Sequence, residues 1–252
     1  MAKGSKKPAS ANMKVRRAAM NVIMVCLALI VLVSGYKAFT IIRDYRSNQG
    51  MYDDLSERIQ DGGFTGDINF DMLRQINPNV VGWLYWEDTP VNYPVVQGAD
   101  NDKYLHTLFD GSYGFFGTLF VDCITEAPFR QFNTIVYGHH MRDGSMLAAL
   151  SKLTDPAWCE EHPRLELITP DNKYHLEIWA FLNQPSDSSI YTTNFHDTGM
   201  QADYLGYIQS RAVYTTDVSV EPDDMIVLLS TCVAAEGEAR YIAVCKMVPW
   251  EQ

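Results

Sequence analysis

The feature that most constrains this chain is the run AAMNVIMVCLALIVLVSG over residues 18–35, which holds no charge and only Asn21 and Ser34 as polar side chains. A helix crossing the hydrocarbon core of a bilayer needs roughly 20 apolar residues, a length reached here once Tyr36 is counted at the interface. Lys3, Lys6, Lys7, Lys14, Arg16 and Arg17 precede the run, and 1–17 hold no acid. Basic flanks stay on the cytoplasmic side, so the pattern predicts an N-terminus inside the cell and the rest of the chain outside. A cleaved secretory signal shares this plan, but its apolar region spans only about 7–15 residues and ends in a small-x-small site. Val33-Ser34-Gly35 is a poor version of such a site. Residues 1–17 therefore read as a cytoplasmic tail and 18–36 as a transmembrane anchor in the cell membrane.

The formal net charge is −11 even with that basic tail included, so the remainder is more acidic still. Such a body repels phosphate backbones, which excludes a nucleic-acid partner. Hydrophobic residues make up 47% of the 252, enough for a substantial core. Of the five cysteines, Cys26 falls in the apolar run, leaving Cys123, Cys159, Cys232 and Cys245 beyond it. In an oxidising compartment four could form two disulfides. No pair has metal-site or framework spacing, so no metal is expected, and each cysteine reads by default as a small buried hydrophobe.

After the anchor, residues 44–60 are polar and helix-compatible and end at Asp61-Gly62-Gly63; a second short helix fits 69–76, closed by Asn77-Pro78. This gives a juxtamembrane helical region over 44–77. From 78 to 252 the character changes to short runs rich in Val, Ile, Tyr, Phe and Trp, at 81–86, 92–96, 118–122, 134–137, 164–168, 175–182, 225–231 and 241–248. About eight such strands between turn signals predict a closed or nearly closed β-barrel. Helical patches interrupt it at 145–152 and 201–211, the latter inside a long connection over 183–224.

Met225-Ile-Val-Leu-Leu-Ser-Thr-Cys232 is an apolar strand that delivers a cysteine at its end. A strand end gives a nucleophile rigid support and open approach. Arg240 opens the next apolar run; if the two runs pair as a hairpin, Arg240 faces Cys232 across the loop. A guanidinium there lowers a thiol's pKa or binds an oxyanion. Proton transfer calls for an imidazole. His106, His162, His175 and His196 lie in unremarkable polar surroundings, whereas His139 and His140 end the strand Asn133-Thr-Ile-Val-Tyr-Gly just after a glycine. Spacing alone does not establish that His139 meets Cys232, and Cys123, which also ends a strand, stays a competitor.

Leu228-Leu229-Ser230-Thr231-Cys232, Arg240 and Tyr137-Gly138-His139-His140-Met141 together resemble the sortase family, most closely its class B. Sortases carry T-L-x-T-C at one strand end, a histidine directly after glycine at another, and an arginine opening the next strand. Here the first threonine is replaced by Leu228. The resemblance covers roughly residues 44–248. It implies a mainly β sortase-like barrel with N-terminal helices and a helix in the loop before the cysteine strand, and no cofactor. It further implies Cys232 as nucleophile, His139 as general acid/base, Arg240 at the oxyanion, and Ser230, Thr231 and Tyr191 as substrate contacts. The expected activity is a cysteine transpeptidase that cleaves a sorting motif of secreted proteins after Thr and joins them to a peptidoglycan-precursor amine. The resemblance points to an Asn/Ser-Pro-x-Thr type of motif. A hydrolase using water as acceptor and a non-catalytic anchored β-domain are the competing readings.

Overall fold

The computed structural model describes residues 9–59, 64–185, 189–232 and 239–250. The Asp61-Gly62-Gly63 break, the 233–238 loop and Lys3, Lys6 and Lys7 lie outside them. The chain forms two compact units, one ending at Ser47 and one beginning at Asn48.

The described part of the first unit lies within helix α1 (Ala9–Ile59), among the described residues the one helix long and apolar enough to cross a membrane. Its apolar side chains are exposed on every face, as at Val22, Ile23, Leu27, Val31 and Leu32. An all-round apolar helix that no protein covers suits a lipid environment.

The second unit is a β-barrel. Its strands are β1 (Val80–Tyr85), β2 (Asn92–Gln97), β3 (Leu119–Val121), β4 (Asn133–His139), β5 (Arg164–Ile168), β6 (Lys173–Pro185), β7 (Tyr214–Thr215), β8 (Ile226–Cys232) and β9 (Ala239–Pro249). The order β5-β1-β2-β3-β4-β8-β9-β6 closes through a β5–β6 pairing, and β7 is added to β6. Closure removes free sheet edges. Pairing is antiparallel except β2 with β3 and β4 with β8. A register shift between Ile178 and Ala180 marks where the two-residue β7 replaces β5 as the neighbour of β6.

Trp83, Leu119, Ile135, Leu165, Leu176, Leu229 and Ala243 are fully buried in the core. The six positions of β4 before its last are buried on both faces, and β8 from Ile226 to Thr231 likewise. Parallel strands covered on both sides read as continuous apolar runs, which is how both read in the sequence. Two further helices matter here. Helix α2 (Phe70–Ile76) is capped by Asn69, whose side chain accepts from the Met72 amide. Helix α4 (Thr198–Arg211), capped by Asp197, lies in the connection before β8.

The closed barrel of eight strands matches the expectation from sequence. Details differ. The helical patch expected at 145–152 is a 3-10 helix over Ala148–Thr154, tightened by i→i+3 bonds such as Leu150 N–H to Leu147 C=O. Strand β6 runs on to Pro185, so the connection before β8 begins later than the sequence suggests. Short helix α3 (Pro156–Glu161) and β7 have no counterpart in the sequence reading.

Candidate active site

β4 and β8 run parallel in a register that pairs Tyr137 with Ser230, Gly138 with Thr231 and His139 with Cys232. The two strands end side by side, so the backbone of Cys232 lies directly beside His139. Neighbouring strands sit about 4.8 Å apart, which brings the two positions within reach of proton transfer. The Cys232 side chain lies outside what the structure describes. Gly138 is required at its place. A Cβ there would sit 2.4 Å from a Leu119 methyl and 2.8 Å from Leu147 Cγ, so any other residue would force these buried leucines or the strand end itself to move.

β8 pairs antiparallel with β9 up to Ser230 opposite Ile242. Two more steps along that register bring Arg240 level with Cys232. The Arg240 guanidinium stands over the Tyr191 ring, 5.7 Å from its centroid, and the Tyr191 hydroxyl is 3.0 Å from Ser230 Oγ. Arg240 and Tyr191 thus form one wall, with fully buried Ser230 holding Tyr191 from behind. Thr231 is buried, and its hydroxyl accepts from the Tyr241 amide at 3.3 Å, holding the β8–β9 junction.

On the other side of His139, its Nε2 lies 2.7 Å from the Leu105 carbonyl. A carbonyl only accepts, so Nε2 carries the proton and donates it, leaving Nδ1 as the nitrogen available for proton transfer. Burial pushes the imidazole below the usual histidine range, the Leu105 bond opposes this, and neighbouring His106 adds to the lowering. His140 turns the other way, toward Tyr241. Behind the wall, buried Asp122 accepts from the Tyr137 hydroxyl at 2.9 Å and from Asn101 at 3.2 Å. Burial, and then the Asp122 charge, raise the Tyr137 pKa, so this hydroxyl stays protonated.

The residues singled out in the sequence therefore converge on one end of the barrel. Cys123 is free and stands apart, its amide bonded to Asn101. Among the described residues Cys26, Cys159 and Cys245 are also unpaired, and no cluster could hold a metal ion. From the sequence, Leu105 and Asp122 were passed over, His106 was set aside as unremarkable, and Tyr137 entered only as part of the motif around His139. Asp122 ends an apolar strand, a place where a carboxylate needs partners, and that was the available signal. Leu105 acts through its backbone and leaves no signal at all. A cavity of about 770 Å³ between Phe70 and Trp250 lies at the opposite strand ends.

Comparison with known proteins locates this architecture. Residues 84–248 match the family model "Sortase domain". Sortase B of Listeria monocytogenes is 34% identical over 207 residues, 80% of this chain and 84% of that protein. The crystal structure of sortase B from Bacillus anthracis superposes with a TM-score of 0.74 at 31% identity, covering 83% of this chain and all of that one. A Staphylococcus aureus sortase B–substrate complex matches with a TM-score of 0.71 at 28% identity, over 83% and 98% of the two chains.

Proposed function

The chain belongs to the sortase family of cysteine transpeptidases that anchor proteins to the cell wall, and on that premise we propose that Cys232 is its nucleophile, His139 its general acid/base and Arg240 its oxyanion group. The observation that carries this reading is the register that pairs His139 with Cys232. It is supported by Arg240, which comes level with Cys232 when the β8–β9 register is continued two steps past Ser230 and Ile242. The substrates are a sorting-signal peptide of a secreted protein and an amine of a lipid-linked peptidoglycan precursor.

The thiol proton passes to His139 Nδ1, and the thiolate attacks the threonine carbonyl of the sorting motif. The Arg240 guanidinium faces the oxyanion of the tetrahedral intermediate. Nδ1–H then protonates the departing amine as the C–N bond breaks, leaving a thioacyl enzyme. The acceptor amine attacks that thioester, its proton goes to Nδ1, and the C–S bond breaks. Tyr191 lines the sorting-peptide side, buried Ser230 positions it through their hydroxyl contact, and Thr231 serves it from behind by holding β9 in place. The basic N-terminus stays in the cytoplasm, 18–36 spans the membrane, 44–77 forms the helical connection, and residues 78–252 act outside the cell.

The test uses the full chain in detergent micelles with fluorogenic peptides spanning x-Pro-x-Thr-x motifs, wild type beside Cys232→Ala, with and without an added amine. Cleavage after threonine that disappears in the variant and is diverted by the amine to a ligated product is expected. Cleavage that persists in Cys232→Ala removes the nucleophile assignment. Cleavage indifferent to the amine makes the protein a hydrolase.

A further inference from the structure

A row of rings leads away from His139 on the side opposite Arg240. His139 stacks on His106 at 5.8 Å between centroids, His106 meets Tyr113 at 6.0 Å, and Tyr113 meets Phe115 at 6.1 Å. Tyr113 is 72% exposed and Phe115 43%. The segment that carries them is well tied. The Leu108 amide donates to Ser112, Gly114 to His106, and Thr118 to Tyr104. Thr107 bridges Tyr113, the Thr118 hydroxyl donates to the Thr107 carbonyl, and the Tyr52 hydroxyl donates to the Gly117 carbonyl. Gly117 is obligatory, because at φ +59° a Cβ would lie 2.3 Å from the Tyr104 oxygen. Large rings held this firmly yet left in solvent are a preorganised binding surface.

Strand order assigns the occupant. Across the barrel end come Arg240 on β9, Cys232 on β8 and His139 on β4, then the 105–117 segment that precedes β3. The sorting peptide is held on the Arg240–Tyr191 side. His139 must take the proton of the incoming amine, so the acceptor has to arrive past its other side. Residues 104–117 contain no Lys or Arg and one acid, Asp110, which caps the loop through Ser112. The surface is therefore neutral to acidic, and a tyrosine face attracts ammonium groups.

We propose that the strip formed by His106, Tyr113 and Phe115 is the docking surface for the acceptor, an amine-bearing peptide segment of the wall precursor, which slides along the rings to bring its amine to His139. The proposal rests on the transpeptidase reading above. It adds a location and a chemistry for the second substrate.

The experiment compares the full-length protein in micelles with Tyr113→Ala, Phe115→Ala, the double variant and a conservative Tyr113→Phe. Three quantities are read: the KM for the sorting peptide, its cleavage rate with hydroxylamine, and the KM for an oligoglycine-bearing stem peptide. Hydroxylamine is too small to need the strip. The double variant is expected to raise the acceptor KM about tenfold or more, with the other two quantities unchanged and Tyr113→Phe close to wild type. An unchanged acceptor KM sinks the docking strip alone. A raised sorting-peptide KM reassigns the strip to the donor. Loss of all three together makes the rings a support of the catalytic end. A wild type that forms no thioacyl adduct at Cys232 sinks the transpeptidase reading beneath it.

Discussion

His139 works through three neighbours of different kinds: a strand partner, a backbone carbonyl and a second imidazole. Because burial and His106 both disfavour its charged form, it titrates below the ordinary value of about 6.5. In the proposed mechanism the thiol proton passes to the neutral imidazole, so acylation needs His139 unprotonated beforehand and its rate rises as pH climbs through that lowered pKa. His106→Ala opens the site and removes the like charge, so the His139 titration seen by NMR should move upward. The rising limb of the acylation profile should move with it to higher pH; a limb that stays put would assign it to another group. In the unfolded chain the same imidazole takes its proton at higher pH, so its contribution to stability is lost as pH falls through the unfolded value. Arg240 makes a separate prediction. Over the Tyr191 ring it uses a flat, forked cation that lysine does not reproduce. Arg240→Lys should lower kcat/KM about 100-fold while urea denaturation shifts by less than about 0.5 kcal/mol. Cys232, His139 and Arg240 stood out as candidates because each closes or opens an apolar run, while their grouping came from the family resemblance and not from spacing. The Leu105 carbonyl was not, since every residue has one and only the fold says which is used.

Among the elements, the parallel β4–β8 pair decides the site, because it turns two strand ends far apart in sequence into neighbours. That pairing could not be read from the runs themselves. Their length and turn boundaries announce strands, but the choice of partner is made by long-range closure of the barrel. The 3-10 helix over Ala148–Thr154 and α3 were hard to read for a local reason, being single turns held by side-chain caps such as Asp155 on the Ala157 amide. Gly138 is where element and chemistry meet. Gly138→Ala places a methyl against Leu119 and Leu147, so unfolding by urea should show a loss of about 1–3 kcal/mol. Turnover should fall by more than the folded fraction does, because the strand end that carries His139 is displaced. A variant with wild-type kcat would show that the barrel absorbs the methyl elsewhere.

For the whole molecule, the decisive segment is the end of α1. The sequence over 44–60 is polar and reads as a connecting helix, yet Tyr52 and Leu55 are 2% and 4% exposed. Tyr52 packs edge-on against Tyr93 at 5.2 Å and bonds to Gly117 and Thr118. Two core positions in three turns of otherwise polar helix give too weak a periodicity to see beforehand. The unit that holds the site thus begins at Asn48, and two truncations should behave differently. A protein beginning at Asn48 should fold cooperatively and cleave sorting peptide with wild-type kcat/KM. One beginning after Ile59 loses the burial of both side chains, roughly 1.5–3 kcal/mol each. That is a large share of an ordinary domain's 5–15 kcal/mol or so, and its urea midpoint should drop accordingly. Because Tyr52 also braces the segment that presents Tyr113 and Phe115, the shorter protein should lose acceptor affinity at temperatures where it is still folded and still cleaves. Equal midpoints for the two truncations would show that the helix end is not part of this core, and the brace on the ring strip would then have to come from the barrel alone.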